Sequence, residues 1–312
     1  MPKAGLFAGE VTEAAPADGA STLKQKGYQW MEYGYVFEAR SSTYSATKGV
    51  LATQNGWGPY VDFPHPFDGK DYSNFTMSSV FKCNQKPAFG QSYSLFDLIQ
   101  EVFGTGITFN RRTPADQIYI GGVVTTADDG ATGNPKTLWT GDVEVTIDHP
   151  TWGFDDWYFV GVTYTSSGAG QLIVRNLDKG EQEIVSNTQD AGTVNWDADS
   201  EGQANSRCCW GCATTVFDQA GGIFQGYISQ TLINNQVTDF SNPTERAKFI
   251  GDDGVIDLGE NGTLPFDEVP LVYMPSGHPS TNNGNTFIGT YPDEFFIQKA
   301  LFENESLPPV DP

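Results

Sequence analysis

Asp156-Trp157-Tyr158-Phe159-Val160-Gly161-Val162-Thr163-Tyr164 is followed, after a short turn, by Gly168-Ala169-Gly170-Gln171-Leu172-Ile173-Val174. In the first run Tyr158, Val160, Val162 and Tyr164 fall on one face, the period-two pattern of a half-buried antiparallel strand. Downstream, residues 171–175 and 181–186 flank Asn176-Leu177-Asp178-Lys179-Gly180, a connection ending in glycine that reads as a hairpin. Upstream, residues 74–82 alternate, with Phe75, Met77 and Phe81 on one side and Thr76, Ser78 and Lys82 on the other. Residues 142–148 set Val143, Val145 and Ile147 inward against Asp142, Glu144, Thr146 and Asp148 outward. Residues 118–124 and 222–233 add strands, the second long enough to bend at Gly226, while 95–103 fits a short helix or a strand equally.

One helix is expected after these strands. Asn242 can cap it, Pro243 suits its first position, Glu245 stands three residues after the cap, and Gly251 suits the left-handed C-terminal position. Ala247 and either Phe249 or Ile250 would dock inward over about two turns.

The composition agrees with a strand-built molecule. The 312 residues include 35 Gly and 18 Pro, with 13 % aromatic and 18 % charged residues. Turn formers thus exceed the usual roughly 12 %, and the aromatics supply a core, which argues against a helical bundle and against a disordered chain. Strands at short spacing over about 200 residues fit one antiparallel jelly-roll β-sandwich. The expected organisation is an N-terminal arm over 1–28, the sandwich over 29–251 and a loop-rich C-terminal extension over 252–312. The two ends read as extended segments that need other surface to lie on. Against 17 Lys+Arg stand 39 Asp+Glu, and the net charge of −22 excludes nucleic acid and anionic membranes as natural partners. No apolar run approaches the roughly 20 residues of a membrane span. The opening Met1-Pro2-Lys3-Ala4-Gly5 lacks the basic-then-apolar pattern of a secretory leader, so synthesis in a cytoplasm is expected.

The 156–174 stretch resembles the core hairpin of concanavalin A-like (laminin G-like) jelly rolls, where a Trp-led strand, a Gly turn and a Leu-Tyr-Val-Asn-Gly strand follow one another. Gly222-Ile223-Phe224-Gln225-Gly226-Tyr227-Ile228 resembles the later Phe-x-Gly-x-Ile strand of that fold. The chain departs from the pattern at Asn176, which is followed by Leu177-Asp178-Lys179-Gly180 instead of Gly. A further series is similar to a tail carried by such jelly rolls in tailed-phage virion proteins. It comprises Val237-Thr238-Asp239-Phe240-Ser241, Arg246-Ala247-Lys248-Phe249-Ile250, Asp253-Gly254, Asp257-Leu258-Gly259 and Asn261-Gly262-Thr263, then Pro270-Leu271-Val272-Tyr273 and Asn282-Asn283-Gly284. The resemblance implies a non-enzymatic virion structural protein, a capsid decoration or minor surface subunit made in the host cytoplasm. Its arm and tail would contact the major capsid protein and further copies of itself. Two alternatives share the fold: a glycan-binding module of a tail fibre or adhesin, and a glycoside hydrolase or lyase.

Hydrolysis with retention needs two carboxyls about 5–5.5 Å apart. Asp142, Glu144 and Asp148 share a strand face, but Thr146 interrupts them and the run reads as a solvated edge, so no catalytic residue is assigned. His65, His149 and His278 each adjoin a proline in turn-like sequence, and no Gly-x-Ser-x-Gly occurs. Cys208-Cys209-Trp210-Gly211-Cys212, with Cys83 distant, lacks the paired spacing of a zinc site and reads as thiols beside a strand. Calcium is the better metal candidate: Asp197, Asp199 and Glu201 copy the opening of an EF-hand loop, although Cys208 stands where the bidentate Glu belongs. No other cofactor is indicated. Trp57 and Tyr60, with Trp152, lie in aromatic loops that could stack on sugar rings; the structural alternative is that these rings anchor loops or an interface.

Overall fold

A computed structural model describes residues 28–30, 60–64, 71–72, 74–83, 92–98, 105–112, 117–126, 136–145, 152–153, 156–195, 207–210, 213–214, 220–221, 226–258, 262–274, 288–289, 296–298 and 300–301. The first half supplies β1 (Tyr28–Trp30), β2 (Tyr60–Pro64), β3 (Asp71–Tyr72), β4 (Asn74–Cys83), β5 (Ser92–Leu98), β6 (Thr105–Arg112), β7 (Gln117–Thr126) and β8 (Lys136–Val145). Then follow β9 (Trp157–Thr165), β10 (Ala169–Asn176), β11 (Gln182–Thr188), β12 (Val194–Asn195), β13 (Arg207–Trp210), β14 (Ala213–Thr214), β15 (Ala220–Gly221) and β16 (Gly226–Asn234). The single-turn helix α1 (Pro243–Arg246) precedes β17 (Val272–Met274), β18 (Ile288–Gly289), β19 (Phe296–Gln298) and β20 (Ala300–Leu301).

Among the described residues the strands form two large antiparallel sheets. The first runs β11-β10-β9-β4-β16-β1-β20, with β17 and β18 branching from β16; the second runs β19-β2-β13-β5-β6-β7-β8. The chain leaves the first sheet after β4, builds the meander β5 to β8 in the second, and returns through β9. This is the antiparallel jelly-roll sandwich of the concanavalin A-like kind that the 156–174 stretch implies. The ambiguous 95–103 segment resolves as a strand, because β5 pairs along β6 from Ser92↔Asn110 to Leu98↔Thr105.

Alternation places the core as expected. Phe75, Met77, Phe81, Val160, Val162, Tyr164 and Leu172 from the first sheet, with Ile107, Ile118, Ile120, Trp139 and Val143 from the second, are all fully buried. Phe81 stacks on Tyr158 at 5.4 Å, and Phe75 meets Tyr164 at 5.9 Å. At full burial each such side chain contributes roughly 1.5–3 kcal/mol of transfer free energy.

The hairpin also forms as read, β10 pairing β11 from Ala169↔Thr188 to Arg175↔Gln182. Asn176 organises its turn: Oδ1 accepts from the amides of Asp178 and Lys179, both at 3.0 Å, and Nδ2 donates to Asp156 Oδ2 at 2.8 Å. Gly180 closes the turn with φ +76°, where a side chain would be strained. Lys179 then pairs with Asp156 at 2.7 Å.

Three local expectations change. The irregularity in β16 lies between Ser229 and Leu232, with Gln230 at φ 44°, and Gly226 opens the strand instead of bending it. The helix is one turn, Asn242 capping it through Thr244 N at 2.9 Å; Ala247 is exposed in αR conformation, and Gly251 is not in the left-handed region. Phe249 and Ile250 do dock inward, at 1 % and 3 % exposure. The third change concerns Thr76 and Ser78, polar by alternation yet fully buried. A second apolar layer covers the outer face of the first sheet: Val80, Phe159, Ile173 and Leu232 from the sheet pack with Phe240, Phe249, Ile250, Val255, Leu258 and Tyr273. Beyond residue 251 the described chain thus contributes both to this layer and, through β17 to β20, to the two sheets.

Candidate functional site

The outer face of β9 changes character along its length. Trp157 and Phe159 are apolar, Gly161 is bare, and Thr163 and Thr165 are polar. The covering layer follows this gradient. Phe240 seats its ring on Gly161, where a Cβ would lie 2.5 Å from Cζ, and meets Phe159 and Phe249 edge-on at 6.1 and 5.6 Å. Residues 236–240 cross the sheet as a strap at the boundary between apolar and polar halves. Thr76 fixes one end of the strap, its hydroxyl donating to Gln236 O at 2.7 Å and accepting from Thr238 N at 2.9 Å. Gln171 fixes the other, accepting from Phe240 N and donating to Asp239 Oδ1, both at 2.8 Å.

Asp239 Oδ1 also accepts from Ser241 N at 3.0 Å and Ser241 Oγ at 2.5 Å. These bonds, the Ser241 hydroxyl first and Gln171 next, hold its carboxyl below the usual carboxylate range. The side chain therefore stays ionised wherever the protein is folded near neutrality.

Between the strap and the polar half of the face lies a cavity of about 380 Å³. Ala169 and Gly170 give it a floor with almost no side chain, and Thr163, Thr165, Ser186, Asn187 and Thr188 complete its lining, with Ser186 and Thr188 exposed and the Asn187 amide turned away to Thr140 O. Gln171, Val237, Thr238 and Asp239 form the strap side. Val237 is 39 % exposed and offers an apolar edge, whereas Thr238 is buried and its hydroxyl has no protein partner. Among the described residues no Lys, Arg or His lines the cavity.

Trp152 is 5 % exposed and stacks on Tyr158 at 6.0 Å with an 8° interplanar angle, the arrangement of a ring that anchors its loop. Tyr60 begins β2, where the backbone alone is described, and Trp57 lies outside the described residues, as do Asp197, Asp199 and Glu201. Among the described residues no three of His, Cys, Asp and Glu gather as a metal site. Asp142 and Glu144 share the outer face of β8, with Glu144 exposed; Asp148 is outside the described residues. Cys83 ends β4 and is buried, while Cys208 and Cys209 are neighbours on β13 in the other sheet.

The cavity residues were not singled out in the sequence as binding groups. The usable signal was the second face of β9, where Thr163 and Thr165 follow Phe159 and Gly161, together with the Val237-Thr238-Asp239 run.

No protein-family model matches the chain, and no curated protein matches it. Solved structures that superpose on it include a candidate carbohydrate-binding protein from Bacteroides ovatus, at 12 % identity and TM-score 0.48 over 80 % of this chain and 60 % of that one. Another is the sialidase CBM40 of Ruminococcus gnavus bound to α2,3-sialyllactose, at 14 % identity and TM-score 0.38 over 71 % and 95 %. A third is full-length tailspike protein 2 of an Escherichia coli O157:H7 bacteriophage, at 8 % identity and TM-score 0.40 over 71 % and 27 %. The chain thus spans less than two thirds of the Bacteroides protein and about a quarter of the tailspike.

Proposed function

We propose that the chain is a non-enzymatic glycan-binding module and that a saccharide occupies the cavity beneath the 236–240 strap. The observation that carries this reading is an open groove whose floor at Ala169 and Gly170 is nearly bare of side chain, lined by the exposed polar residues Ser186, Thr188 and Asp239. Sugars are recognised by such a mixture: directed hydrogen bonds to ring hydroxyls and a smooth surface for their C–H faces. Among the described residues Asp239 is the one carboxylate lining the cavity, and it is tied by three hydrogen bonds, which suits orientation of a ligand better than a two-carboxylate hydrolysis. A glycan array probed with the full chain tests this. Binding that disappears in Ala169→Trp, which fills the cavity from its floor, is expected. A silent array, or binding lost in Trp57→Ala and retained in Ala169→Trp, would contradict it.

A second reading, a subunit on the surface of a tailed-phage particle, draws on the residue pattern from Val237 to Gly284. Leu264 and Val269, large apolar residues of the 262–274 segment at 60 % and 58 % exposure, are the positions such a contact would use. Stripped particles should then take up the purified protein in fixed stoichiometry, and Leu264→Glu should abolish uptake. No association with any virion component would remove this reading and leave the glycan site standing.

A further inference from the structure

Resting on the glycan-binding reading, we infer that the cavity selects uncharged pyranoses, neutral or N-acetylated hexoses, and turns away sialic and uronic acids. Selection follows from what the walls lack and what they hold. An acidic sugar needs a cation or a fork of N–H donors for its carboxylate, and among the described residues no Lys, Arg or His lines the cavity. The cations elsewhere on this part of the molecule are engaged: Lys136 with Asp190 at 3.1 Å, Arg175 with Asp252 O at 2.7 Å, Arg246 with Phe240 O at 2.8 Å.

The walls also hold a fixed negative charge. Asp239 lines the cavity, and three donors on Oδ1 keep it ionised. A ligand carboxylate seated beside it would meet a like charge at close range, where repulsion is least screened by salt. The net charge of −22 acts in the same direction at longer range. An uncharged pyranose meets no such repulsion: the exposed Ser186 and Thr188 carry hydroxyls that both donate and accept, and Ala169 with Gly170 accepts the ring's apolar face. At about 380 Å³ the cavity is at the small end of ligand sites, which suits a terminal sugar instead of an internal stretch of a polymer.

Ligand-observed NMR and calorimetry on the full chain test this, with glucose, galactose, N-acetylglucosamine, glucuronic acid and N-acetylneuraminic acid as probes in physiological salt. At least one uncharged sugar is expected to bind, with both acids tenfold or more weaker. Asp239→Asn should narrow that gap, and Thr165→Lys should close or reverse it. Ala169→Trp and Ser186→Trp, each checked for an unchanged fold by circular dichroism, should abolish binding. An acid that binds as tightly as the best uncharged sugar, and is lost in both blocking variants, overturns the selectivity and leaves the site intact. No binding of any probe by the folded wild type, or binding that survives both blocking variants, overturns the site and the selectivity together.

Discussion

Phe240 and Gly161 show how a single missing side chain organises the outer layer. A methyl group on Gly161 would meet the Phe240 ring at 2.5 and 2.7 Å, and an aromatic ring has no freedom to give way. Gly161→Ala is expected to cost about 1–3 kcal/mol through overpacking, and Phe240→Ala about 3–5 kcal/mol through the cavity it leaves; urea denaturation checks both. If the strap rides on this contact, Gly161→Ala with Phe240→Leu recovers part of the loss. Asp239 gives a pH signature at the same spot. Its folded value is depressed, so the stability it contributes is present above its ordinary value of 3.8 and is lost as pH falls through and below it. Chemical denaturation between neutrality and about pH 3 should show wild type losing more stability than Asp239→Asn, and identical slopes would remove the hydrogen-bonded carboxylate from the account. The Thr238 hydroxyl has the opposite character. Thr238→Val deletes a buried group that no protein atom satisfies, so it should leave stability equal or raised in urea denaturation.

Elements divide into those legible from alternation and those set by tertiary contacts. β4, β8 and β9 follow the pattern of Phe75 and Met77, of Val143 and Val145, and of Tyr158 to Tyr164, because one face of each meets the other sheet. The other face of β4 was not legible: Thr76 and Ser78 look solvated, and they are buried because a strap more than 150 residues away hydrogen-bonds to Thr76. The helix start was legible in Asn242-Pro243, a local signal, whereas its end was not, since Phe249 and Ile250 are drawn into the aromatic layer after one turn. The candidate site shares this fate, being assembled from β9, β10, β11 and residues 237–239 with no local motif spanning them. The hairpin turn is the element most exposed to a single change. Asn176→Ala removes two acceptor contacts to the turn and the donor to Asp156; a loss of about 1–3 kcal/mol is expected from the buried groups left unpaired, read as a lowered melting temperature.

At the scale of the molecule, two apolar layers enclose the first sheet, one against the second sheet and one beneath residues 240–273. The tyrosines report on both. Burial raises Tyr158, Tyr164 and Tyr273 above the ordinary phenol value, so their neutral forms favour the fold below pH 10 and that contribution is lost at more alkaline pH. Absorbance titration should show Tyr158 and Tyr273 ionising only as the protein unfolds, and Tyr164 ionising above the ordinary phenol value; normal titration of Tyr273 would mean that the covering layer is open in solution. The polar half of the outer face, left free by that layer, is where the strap and the sheet leave their cavity. A crystal structure of the full chain soaked with the tightest-binding uncharged sugar tests this directly. The account predicts the ring over Ala169 and Gly170, with hydroxyls within hydrogen-bonding reach of Ser186, Thr188 or Asp239. A sugar bound elsewhere on the molecule, with the space beneath the strap vacant, would contradict it.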